Sequence, residues 1–143
     1  MDLEDIRSSF GFFDNWEDKY RFVIDLGREL TDLEASDKQE ENLVRGCQSQ
    51  VWLVASYDPD SDRLSLRIDS DAHIVRGLIA IVLAAYDEKT PCEILKFDIE
   101  ALFEELALLK HLSPIRGNGL RSMVARIRAV AQAHRQFSSQ SSR

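Results

Sequence analysis

The chain has 143 residues, 44% of them hydrophobic and 30% charged, with a formal net charge of −7. That length suits one domain with its own core, and the acidic balance argues against general nucleic-acid binding. The longest apolar run, GLIAIVLAA at 77–85, is too short to cross a membrane, and the acidic start MDLEDIR has no secretory pattern. Two cysteines are too few for a disulfide scaffold, so the chain is expected in the cytosol with free thiols.

Leu3, Ile6, Phe10 and Phe13 give residues 3–13 a loose helical period. Asp14 followed by Glu17 resembles a capping box, and Trp16, Tyr20, Val23, Ile24, Gly27 and Leu30 predict an amphipathic helix over 15–31. The acidic stretch TDLEASDKQEEN at 31–42 reads as a solvated loop.

At residue 51 the period changes. VWLVAS is short and β-prone, YDPDSD is a turn, and RLSLRID alternates Leu64, Leu66 and Ile68 with Arg63, Ser65 and Arg67. This is a hairpin with one covered face. A further short strand around Val44 makes a sheet of about three strands and leaves Cys47 in a loop between strands.

Ser70 is the expected N-cap of the next helix. Its residues Ile74, Val75, Leu78, Ile79, Ile81, Val82 and Leu83 are apolar nearly all round, as befits a central helix. TPCE at 90–93 is a capping box with proline at the first helical position, and helical spacing continues through Ile99, Leu102, Phe103, Leu106 and Leu109. HLSPIRGNG reads as a loop that breaks this helix at Pro114, before a last helix carrying Leu120, Met123, Val124, Ile127, Val130 and Ala131. The order predicts an α+β domain over 1–135, helices packed on a small antiparallel sheet, with a flexible polar tail over 136–143.

Neither thiol is assigned a role by its neighbours alone. Cys92 falls in the first turn of a helix and reads as an inert, partly buried residue. Cys47 follows Arg45 and Gly46; cationic charge and a tight turn suit a presented thiolate, and an incidental loop cysteine fits equally well. His73, His111 and His134 lie on separate segments, so nothing local supports a Cys–His pair. Metal-ligand spacing, a phosphate loop and a dinucleotide fingerprint are all missing from the sequence. All 25 acids occur by Glu105, whereas 106–143 holds Lys110 and six arginines, either a solvated helix face or a surface for an acidic partner.

Four ordered blocks carry a resemblance: NWEDKYRFVIDLGREL at 15–30, NLVRGCQSQVWLV at 42–54, DSDAHIVRGLIAIVL at 69–83 and LALLKHLSPIRGNGL at 106–120. Through them the chain resembles the SufE-type cysteine desulfuration proteins, including the related CsdE group, from about Phe10 to Ala133. The resemblance implies a two-layer α+β fold similar to the scaffolds on which iron–sulfur clusters are built. It implies that Cys47 accepts persulfide sulfur from a pyridoxal-phosphate cysteine desulfurase of SufS or CsdA type, stimulates that enzyme, and passes sulfur to the SufBCD scaffold. The pyridoxal phosphate stays on the desulfurase, and the chain itself is expected to hold no cofactor and no metal.

Asp71 matches an acidic position that helps hold the cysteine loop, and Arg116 an arginine near the partner-facing surface; Gly46, Arg45 and Gln48 complete the expected loop and contact set. Alternatives are an allosteric activator whose cysteine carries nothing and a cluster scaffold, and a homodimer is compatible with either. Two departures stand out: Ile115 replaces a frequent serine, and Cys92 has no required counterpart.

Overall fold

The computed structural model describes residues 1–141, with side chains through Arg135. Among the described residues, seven helices surround one hairpin: α1 (Leu3–Phe12), α2 (Trp16–Arg28), β1 (Val51–Asp58), β2 (Arg63–Ser70), α3 (His73–Tyr86), α4 (Pro91–Lys96), α5 (Ile99–Glu105), α6 (Leu108–His111) and α7 (Pro114–Ser141). The fold is mixed α+β, as expected.

The strands pair antiparallel from Val51 opposite Ser70 to Asp58 opposite Arg63. Alternation does what the sequence demands: Leu64, Leu66 and Ile68 enter the core while Arg63 and Arg67 face water. Among the described residues the sheet has two strands rather than about three. The segment around Val44 contributes a single bridge, Leu43 to Trp52, and one amide bond from Val44 to the Val51 carbonyl at 2.8 Å. A turn at Arg45 and Gly46 then peels the chain off the sheet before a ladder can extend.

Helix α3 is central, burying Ile74, Leu78, Ile79, Ile81, Val82, Ala85 and Tyr86. Its contact with α2 is close because Gly77 has no side chain; a Cβ there would overlap the Val23 backbone carbonyl. Asp69, 1% exposed, anchors the corner between β2 and α3. Its carboxylate accepts bonds from Arg76 and from the amides of Ser70 (2.7 Å) and Leu33 (3.0 Å). Arg76 also donates to the Leu30 carbonyl at 2.7 Å and pairs with Asp32 at 2.9 Å, fastening the end of α2 and the acidic stretch to the sheet. A buried carboxylate is tolerable only when paired in this way.

Several helix ends differ from expectation. Asn15, not Asp14, caps α2, accepting from the Asp18 amide at 2.9 Å. Ser70 ends β2, and α3 starts after Ala72 with no side-chain cap. The TPCE box forms in full, with Thr90 and Glu93 bonding reciprocally to each other's amides. The helical stretch that follows divides in three, because Asp98 starts a new helix by capping the Ala101 amide and Ala107 adopts a left-handed φ of 56°.

Pro114 opens α7 instead of breaking the chain, and IRGNG is helical. Ser113 caps the Arg116 amide at 3.2 Å, and proline at the first helical position wastes no donor. The backbone of α7 is helical to Ser141, so the boundary expected at 136 falls inside it; residues 142 and 143 lie outside the described residues. Three arginines of the basic end are engaged internally. Arg121 pairs with Glu100 at 3.0 Å, Arg126 donates to the carbonyls of Leu43 and Glu41, and Arg128 donates to those of Ile94 and Leu95. Among the described residues, no helix is long and apolar enough to cross a membrane.

Candidate functional site

Cys47 lies in the irregular segment between the Arg45–Gly46 turn and β1, half-buried against the first turns of α7. Gly46 makes the turn possible. Its φ is +90°, a conformation side chains resist, and a Cβ there would stand 2.5 Å from Ser122 Oγ. Gly119 faces the seat closely: a Cβ on it would meet Cys47 Sγ at 3.4 Å and Cα at 3.5 Å, ordinary packing distances. The thiol donates to the Gly119 carbonyl at 3.5 Å.

The far side of the segment is held by Asp71, just ahead of α3. Its Oδ1 accepts the Gln50 amide at 3.1 Å, and its own amide donates to the Gln50 carbonyl at 3.3 Å. Thus the β2–α3 corner clips the chain three residues after Cys47.

Cys47 borders a cavity of about 30 Å³. Val51, Val75, Leu78, Leu120 and Met123 give it apolar walls, while Gln48, Ile115 and Arg116 also line it. A water-sized occupant needs roughly 10–15 Å³ measured this way, so there is room beside the thiol for an atom or two. Ile115, on the first turn of α7, is 55% exposed.

Burial pushes the Cys47 thiol above its ordinary pKa, and no neighbouring cation offsets that effect among the described residues. Arg45, expected to favour the thiolate, points elsewhere: it is exposed and sits 3.6 Å from Glu40. Arg116 lines the cavity without lowering the thiol. The resting side chain is therefore a sheltered thiol, not an activated thiolate.

The fold thus brings Cys47, Gly46, Gln48, Asp71 and Arg116 to one place and turns Arg45 away. Cys92 is half-buried in the first turn of α4, away from the cavity lining. No group of three or more His, Cys, Asp or Glu side chains gathers as metal ligands do among the described residues. Gly119, Ser122 and Arg126, on successive turns of α7, were missed as partners of the cysteine segment. No local signal marks them, because the contacts join residues 72 and 83 positions apart.

The site is thus a half-buried thiol on an α+β frame, beside a pocket of atomic size. Residues 4–131 match the SufE family, described as the Fe–S metabolism associated domain, and the chain belongs to that family. It is 51% identical over 132 residues to an uncharacterized SufE-like protein of Rhizobium etli, covering 91% of this chain and 89% of that one. A second uncharacterized SufE-like protein, from Rhizobium meliloti, is 47% identical over 132 residues, covering 91% and 94% respectively. The fold is similar to the solution structure of a hypothetical protein from Thermus thermophilus, with a TM-score of 0.72 at 15% identity over 92% of this chain and 93% of that one. Family membership gives the chain a sulfur-transfer role in iron–sulfur metabolism, with a cysteine desulfurase as the general partner.

Proposed function

We propose that Cys47 is the sulfur acceptor, loaded by a SufS-type cysteine desulfurase and unloaded onto the SufBCD scaffold. The observation that carries this reading is the Cys47 seat: a half-buried thiol on a glycine turn, opening onto a cavity with room for one more atom. In the transfer step the Cys47 thiolate attacks the outer sulfur of the donor persulfide. A new sulfur–sulfur bond forms on Cys47 as the donor's breaks, the donor cysteine leaves as a thiolate, and the hydrogen stays on the terminal sulfur. No external oxidant or reductant enters, as in thiol–disulfide exchange.

Because burial holds the resting thiol protonated, docking has to expose the segment or supply a base before attack. The cavity then shelters the loaded sulfur from bulk thiols and oxidants. The pyridoxal phosphate belongs to the desulfurase, and the exchange takes place in the cytoplasm, where free thiols persist.

The test mixes the protein with its desulfurase and free cysteine, then reads intact mass and turnover. The parent gains one sulfur atom and accelerates the enzyme; Cys47→Ser does neither. Full stimulation by Cys47→Ser would reject sulfur acceptance as the basis of activation, and an unloaded parent would reject the carrier reading altogether.

A further inference from the structure

The segment carrying Cys47 is held on its C-terminal side by Asp71. On its N-terminal side the sheet gives it almost nothing, one bridge and one amide bond. The missing hold comes from α7. Arg126, farther along the helix than Gly119, donates from Nη1 to the Leu43 carbonyl at 3.2 Å and from Nη2 to the Glu41 carbonyl at 3.1 Å. These acceptors lie four and six residues before Cys47, across 83 and 85 positions of sequence. Gly119, Ser122 and Arg126 project from α7 toward the same segment, meeting Cys47, Gly46 and Leu43 in turn.

We infer that Arg126 is a positioning residue that sets the resting seat of Cys47, a role resting on the reading of Cys47 as the sulfur acceptor. The physical basis is reach and charge. A planar guanidinium presents donors in a fixed fork, so one side chain fixes two carbonyls at a set spacing and orients the chain between them. Bonds from a charged donor are stronger than neutral ones. Both of these bonds serve the backbone of one segment, the stretch that leads into the Gly46 turn. Releasing them lets the Glu41–Val44 stretch drift from α7, and the Gly46 turn loses its alignment with Ser122. The thiol then leaves the Gly119 carbonyl more often.

Arg128 supplies a matched control. It stands on the same helix and likewise donates to two backbone carbonyls, those of Ile94 and Leu95, both at 3.4 Å, but they belong to α4. The experiment measures the reaction rate of Cys47 with a small neutral aromatic disulfide in native buffer, using the full chain in a Cys92→Ser background. Arg126→Gln should raise that rate about tenfold, as expected for losing bonds to a charged donor. Arg126→Lys, which keeps a cationic donor, should fall between it and the parent.

Arg128→Gln should leave the rate within about twofold of the parent even where it lowers the melting temperature equally. An unchanged rate in Arg126→Gln, or an equal rise in Arg126→Gln and Arg128→Gln, overturns the inference. The readout is chemical and needs no desulfurase, so a failure of sulfur loading and a failure of this positioning role register separately.

Discussion

Replacing Gly46 with alanine tests the cysteine seat most directly. The residue sits at φ +90°, where an alanine bears strain of about 1–3 kcal/mol. Its new Cβ would also lie 2.5 Å from Ser122 Oγ and 3.4 Å from Ser122 Cβ. Only the hydroxyl has to move, so rotating it away adds about 1 kcal/mol. The total, about 2–4 kcal/mol, corresponds to a melting temperature lower by roughly 4–15 °C for a chain of this size. The segment has a second way to relieve the strain, by leaving α7 without unfolding the domain, in which case the melting temperature falls less and the Cys47 thiol reacts faster. Thermal unfolding and thiol-probe kinetics on the same sample separate the two routes. Adding Ser122→Ala removes the steric part and restores about 1 kcal/mol, leaving the backbone part in place. Gly46→Ala with the parent's melting temperature and the parent's thiol rate would refute the left-handed turn and the seat built on it.

Three other outcomes follow from the same geometry. Burial raises the Cys47 pKa above its unfolded value, so the folded protein holds that proton longer; the resulting stability is complete below about pH 8.5 and declines as pH rises through the folded value. Urea unfolding between pH 8 and 10.5 should show that decline in a Cys92→Ser background and lose most of it in Cys47→Ala, and identical slopes would contradict the burial. Asp69→Ala leaves the Leu33 and Ser70 amides without their acceptor and takes from Arg76 its buried partner, leaving it Asp32 and the Leu30 carbonyl; it should lower stability by about 3 kcal/mol in urea titration, whereas a loss under about 1 kcal/mol would show the pair to be dispensable. Ile115→Asp places a charge on the rim of the Cys47 cavity; its melting temperature should stay within a few degrees of the parent while its affinity for the desulfurase falls about tenfold, and undiminished affinity would remove Ile115 from the docking face.

The hairpin and α3 were legible because their signals are periodic. Leu64, Leu66 and Ile68 admit one register, and a helix apolar on every side has nowhere to go but the centre. TPCE was equally plain, since two side chains and one proline satisfy a helix start by themselves. The α7 start was not, because serine and proline open a helix as readily as they end one, and the glycines of GNG weigh locally against helix. What that turn of helix does is tertiary: the Gly119 carbonyl accepts from the Cys47 thiol, a contact 72 positions away that no window of sequence contains. For the same reason Arg45 looked like the thiol's cation, being two residues off, whereas the Gly46 turn directs it to Glu40. The Asp69–Arg76 pair shows the limit most clearly. The two stand seven residues apart and drew no notice in the sequence; only the meeting of α2, β2 and the acidic stretch makes them an interior hub.

If Cys47 is the sulfur acceptor proposed above, the small volume beside it would act as a size filter on its cargo. The cavity has room for one added sulfur atom with the segment in its resting place, so loaded and empty protein would keep nearly the same outline. A glutathione adduct is many times larger and would hold the segment away from α7. Productive cargo and an oxidative by-product would then give the chain two different surfaces, and a downstream partner could tell them apart by shape alone.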